Sequence, residues 1–94
     1  MQDRQGTILP TTIFLLFAEY GTGHIPLERC AHVFGLAFHE ARRRAARQTL
    51  PVPVFRSSSQ KSPWLVDAVA LAQFLDAQKE KATLEWVRIH GSAP

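Results

Sequence analysis

The sequence predicts an α+β domain that is mostly helical, with a two-stranded β-hairpin in its second half and a long helix closing the chain. Three observations predict it. Residues 37–48 read Ala-Phe-His-Glu-Ala-Arg-Arg-Arg-Ala-Ala-Arg-Gln, rich in strong helix formers and free of Gly, Pro and β-branched residues. Two short β-prone runs follow, Pro51-Val52-Pro53-Val54-Phe55-Arg56 and Trp64-Leu65-Val66, separated by the polar segment 57–63. Arg42, Arg43, Arg44, Arg47, Arg56 and Lys61 are six of the eleven Lys and Arg residues of the chain, and between Ala41 and Val66 no acid opposes them. A basic helix followed by a basic hairpin is the layout of a winged helix-turn-helix, in which the helix enters the major groove of DNA and the hairpin touches the phosphates.

Each element has its own local reason. Residues 1–10 are polar and end in a proline, which predicts a flexible N-terminal arm in front of one DNA-binding domain over 11–90. The run Ile13-Phe14-Leu15-Leu16-Phe17-Ala18-Glu19-Tyr20 is apolar on every side, so periodicity alone does not separate a helix from a buried strand. Thr11 or Thr12 as a cap, the Leu and Ala content and the stop at Gly21 favour a helix over 12–20. It is either sandwiched in the core or partly turned to a second copy. Leu27, Cys30, Ala31 and Phe34 recur at helical spacing, with Pro26 suited to the first turn and Glu28 near the positive end of the helix dipole. Gly35-Leu36 then makes the tight turn into the basic helix.

On that basic helix Phe38, Ala41 and Ala45 share one side, while His39, Glu40, Arg43 and Arg47 lie opposite and Arg44 flanks them. The helix ends before Pro51, and Pro51 and Pro53 confine the next strand to an edge. Asp67 is a good cap for a last helix over 68–89, whose first half carries an apolar face of Leu71, Ala72 and Leu75. The later apolar residues Leu84, Trp86, Val87 and Ile89 have no obvious partner in so small a core: they either fold back or meet another protomer. With the patch at 13–20, they predict a homodimer or a higher homo-oligomer.

Composition narrows the classes. Ninety-four residues with 46% hydrophobic content allow one modest core. The lone Cys30 forms no internal disulfide, and its place beside Ala31 and Phe34 on the packed side argues for a buried apolar role. His24, Cys30, His32 and His39 show no familiar zinc spacing, and Ser57-Ser58-Ser59 has no adjacent His or Asp to activate it, so neither a metal nor a cofactor nor an enzyme is expected. No run approaches the roughly 20 apolar residues of a membrane span, and no signal-peptide pattern opens the chain; a cytoplasmic, nucleoid-associated protein is the expectation. A net charge of +3 is mild, and it is the clustering of the charge that points to nucleic acid.

The expected contacts to duplex DNA are therefore His39, Glu40, Arg42, Arg43, Arg44 and Arg47 on the helix and Arg56, Gln60 and Lys61 on the hairpin 54–66. A Glu accepts from cytosine N4 and an Arg binds guanine through two bonds, while Arg42, nearer the packed side, lays its stem along the core and sends its head to a phosphate. Arg56, Gln60 and Lys61 suit phosphate or minor-groove contacts.

Four segments also resemble the pyocin activator (PrtN) family of small transcription activators of phage-like gene clusters: residues 12–20, Ile25-Pro26-Leu27-Glu28 with Cys30 and Phe34-Gly35, Leu50 to Arg56 followed by Ser59-Gln60-Lys61, and Leu71-Ala72 with Leu75-Asp76. The resemblance implies sequence-specific DNA binding and activation of pyocin or prophage genes, with RNA polymerase as a further partner. The return strand Ser62-Pro63-Trp64-Leu65 is more apolar and the helix 38–48 richer in Arg than the family pattern. The proline-containing wing followed by an Asp-capped helix is more distantly similar to excisionases and MerR-like proteins, which leaves architectural DNA binding as an alternative. A protein-interaction adaptor or anti-repressor that uses its basic face on an acidic partner is the other.

Overall fold

The computed structural model describes residues 10–91, so most of the expected N-terminal arm lies outside the described residues. The elements run in the order α1 (Pro10–Tyr20), β1 (His24–Pro26), α2 (Leu27–Cys30), a 3-10 turn (Ala31–Phe34), α3 (Phe38–Arg47), β2 (Val54–Arg56), β3 (Trp64–Asp67) and α4 (Ala68–His90).

The sheet has three antiparallel strands in the order β1-β3-β2: the expected hairpin of β2 and β3 is present, and β1 is a third strand not expected from the sequence. β3 is central, pairing Ile25 with Val66 on one side and Val54 with Val66 on the other. Without β1, one edge of β3 would present unpaired backbone groups; three residues suffice to cover it. β2 lies at the other edge, as its two preceding prolines require.

α1 is helical, and it starts at Pro10, one residue inside the expected arm, so Thr12 is not its cap. Thr12 instead lies within the helix and donates from its hydroxyl to Oδ1 of Asp76 at 2.6 Å, while Nζ of Lys79 donates to the same hydroxyl at 3.3 Å. These bonds tie the start of α1 to the middle of α4. At the other end Gly21 takes a φ of 72° and donates to the Phe17 carbonyl, and Nη1 of Arg29 donates to the Tyr20 carbonyl at 2.9 Å.

The helix expected over 27–34 divides at Cys30, whose φ of −123° leaves the α region, and continues as the 3-10 turn. Gly35, at φ 74°, ends it, and Phe34 meets Phe74 of α4 with ring centroids 5.4 Å apart. Ile25, Leu27, Cys30, Val66 and Leu71 are the largest fully buried side chains. α3 approaches them through Ala41 and Ala45, both fully buried, whose single methyl groups let the helix backbone lie close to the core.

Asp67 caps α4, accepting from the Ala70 amide at 3.0 Å. The helix is continuous to His90 and does not fold back on the core, so the fold-back option for its second apolar patch is removed. Leu84 and Trp86 are 62% and 59% exposed, and residues 77–90 are exposed throughout.

Candidate nucleic-acid interface

α3 is fixed relative to the hairpin at its C-terminal end. Gln48 takes the left-handed conformation, φ 55°, and its amide donates to the Ala45 carbonyl at 3.0 Å. Its side-chain Nε2 also donates to the Val54 carbonyl at 3.2 Å, which joins the helix end to β2. Gln48 therefore sets the relation between the two basic elements, a role not apparent from its position at the end of the predicted helix.

Between them lies a cleft of about 410 Å³ lined by His39, Arg42, Arg43 and Ala46 from α3 and by Arg56 and Trp64 from β2 and β3. No carboxylate lines it. A second recess, of about 260 Å³, opens beside it and adds Gln60 and Lys61 from the hairpin tip together with Phe38 and Glu28. The structure thus brings together His39, Arg42, Arg43, Arg56, Gln60 and Lys61 of the expected residues. Arg44 and Arg47 are exposed but do not line either space.

Glu40 sits differently from a free base-reading group. Its Oε1 accepts from Nη2 of Arg43 at 2.7 Å and its Oε2 from Nε of Arg44 at 3.1 Å. The bond from Arg44, with the charge of Arg43 beside it, holds the carboxyl below the usual carboxylate range. The arginines of α3 are thus partly opposed by the one acid of their own helix. The guanidinium of Arg42 lies 5.7 Å from the centroid of the Phe38 ring while the residue stays exposed.

The hairpin tip is held by its own serines. The Ser58 and Ser62 hydroxyls are 2.7 Å apart, the Ser59 amide donates to Oγ of Ser62 at 3.2 Å, and the Lys61 amide donates to Oγ of Ser59 at 3.2 Å. Arg56 adds a bond from Nη1 to the Gln60 carbonyl at 3.0 Å, and its guanidinium lies 4.1 Å from the centroid of Trp64, its cross-strand partner. From sequence alone Trp64 is expected only as the mate of a strand; its place in register opposite Arg56 is the signal for more.

Cys30 is fully buried, and burial pushes its thiol up to about 11, so it is no nucleophile at neutral pH. Among the described residues no group of three His, Cys, Asp or Glu side chains is placed to hold a metal ion. No helix among them is long and apolar enough to cross a membrane.

Neither the curated proteins nor the solved structures contain a match to this chain. The family model described as pyocin activator protein PrtN matches residues 12–82, which places the four resembling segments within one continuous match. The chain belongs to the pyocin activator family, a family of transcription activators and not of enzymes.

Proposed function

We propose that this protein is a winged helix-turn-helix activator that binds duplex DNA upstream of phage-like genes, with α3 in the major groove and the hairpin 54–66 along the adjacent backbone. The observation that carries the reading is the shared, carboxylate-free cleft: Arg42 and Arg43 of α3 and Arg56 of the hairpin face one space, so one duplex would touch both elements. The element order and the sheet order β1-β3-β2 support the winged architecture, since β3 returns the chain from the wing to the body. Membership of the pyocin activator family supports transcription activation of phage-related genes.

His39, Arg42, Arg43 and Arg47 are the contacts assigned to the helix, Arg56, Gln60 and Lys61 those assigned to the wing. Glu40 and Arg44 act through their ion pairs unless the duplex displaces them. A homodimer fits this reading, because the exposed Leu84, Trp86, Val87 and Ile89 of α4 and Phe14 and Leu15 of α1 leave apolar surface away from the cleft. RNA polymerase is the further partner an activator needs, and the site of action is the nucleoid.

The test is direct. Arg43→Ala and Arg47→Ala lower affinity for genomic duplex fragments, each by about tenfold if the lost contact is a good two-bond one, while circular dichroism is unchanged. Equal binding by those variants and the parent contradicts the assignment. Stimulation of a promoter next to the selected fragment separates an activator from an architectural protein, which bends the fragment without raising transcription.

A further inference from the structure

We infer that Arg56 and Trp64 form a clamp for a single backbone phosphodiester, with Trp64 as the residue that aims the guanidinium. The inference rests on the duplex-binding reading above and assigns one contact within it. A guanidinium offers five N–H donors in a planar fork, and three restraints act on this one. The cross-strand register places Trp64 directly opposite Arg56, and the charged group lies over the indole at 4.1 Å. Nη1 is taken by the Gln60 carbonyl at 3.0 Å. What remains is the edge formed by Nε and Nη2, and Nε is buried with no hydrogen-bond partner among the described residues.

That remaining edge is the one through which an arginine holds two oxygens of a phosphate or carboxylate in parallel bonds. A buried donor without a partner is also unfavourable in the free protein, and a shift of the guanidinium that admits an oxygen to Nε relieves it. The charges around Arg56 favour one side for the anion. The recess toward the hairpin tip includes Glu28, whose carboxylate would repel a phosphate. The cleft toward α3 has Arg42, Arg43 and His39 around Arg56 and no acid, so the phosphodiester seats there. Lys61, at the exposed tip, supplies charge without a fixed direction.

The clamp separates geometry from charge, and the experiment uses that separation. Duplex affinity is measured over a range of salt for the parent, Arg56→Lys, Trp64→Leu and the double variant, with Arg43→Ala as reference and circular dichroism and melting on each. Arg56→Lys keeps the charge and loses the fork, so affinity falls about tenfold while the salt slope holds. Trp64→Leu produces a comparable fall, and the double variant binds no worse than either single one, because both remove the same oriented edge. Trp64→Phe, which keeps a smaller ring, loses less, and it replaces Trp64→Leu if the latter fails to fold. With Trp86→Phe in the background, Trp64 is the sole tryptophan, and its emission changes when duplex is added. Parent-like binding by Arg56→Lys, or losses that multiply in the double variant, overturns the clamp while leaving the duplex reading intact. Absence of any duplex binding by the parent defeats both.

Discussion

Two lengths of exposed helix, the outer face of α3 and the last fourteen residues of α4, stand apart from the core in opposite ways. On α3 the buried line is reduced to Ala41 and Ala45, and five of the other eight residues are charged. On α4 the first turns bury Ala68, Leu71 and Ala72, whereas the later turns leave Leu84, Trp86, Val87 and Ile89 in the open. Both are continuous helix, so helix formation does not distinguish them. The chemistry of what is left exposed does: guanidinium groups suit a polyanion, and large apolar side chains suit another apolar surface.

The comparison is sharpest within α4. Leu71→Ala, at a fully buried site, is expected to cost about 2–5 kcal/mol in denaturant unfolding. Leu84→Ala, at a 62% exposed site, leaves the unfolding free energy of the dilute monomer unchanged. Leu84→Glu with Trp86→Glu removes self-association in sedimentation velocity and leaves the helix content intact; a parent mass that stays monomeric at every concentration breaks the assignment of that patch to a second copy. A smaller loss separates the capped start of α4 from its exposed end: Asp67→Ala costs about 1 kcal/mol through the lost bond to the Ala70 amide.

On α3 the corresponding perturbation is Glu40→Gln, which releases Arg43 and Arg44 and removes a negative charge near the proposed duplex. Affinity for random duplex DNA rises a few-fold, about the scale of one weak surface ion pair, and a fall would show that Glu40 contacts the DNA itself. The carboxyl is depressed in the folded protein, so its small contribution to stability is present above the unfolded value and disappears as pH falls through the lower folded one. Glu40→Gln therefore lowers stability slightly at neutral pH, where that contribution is present, flattens the acid limb, and leaves stability below the folded value unchanged.

Much of this architecture is legible in the amino-acid sequence. The Ala-Arg composition of α3, the proline-flanked edge strand and the Asp67 cap are local signals, and local signals fix α3, β2 and α4. The features that escape a local reading are set by distant partners. His24-Ile25-Pro26 is too short to show alternation and becomes a strand only because β3 has an open edge beside it. Thr12 looks like a cap and is instead held by Asp76 and Lys79, far along the chain. The engagement of Glu40 is readable, since Arg43 and Arg44 stand three and four residues beyond it, the spacing at which helix side chains meet. At the site the individual basic residues are legible, but the addition of Trp64 depends on the register of β2 on β3, and the partition that leaves Arg44 and Arg47 off the cleft depends on how α3 is set against the hairpin.

The measurement that tests the central claim most directly is the salt dependence of duplex binding by the unmodified protein. If the cleft and its flanks neutralise about four to six phosphates per protomer, log affinity falls with log salt at a slope of roughly −4 to −5, about 0.9 per phosphate. A slope near zero, or no binding at low salt, would mean that α3 and the hairpin do not grip a polyphosphate duplex.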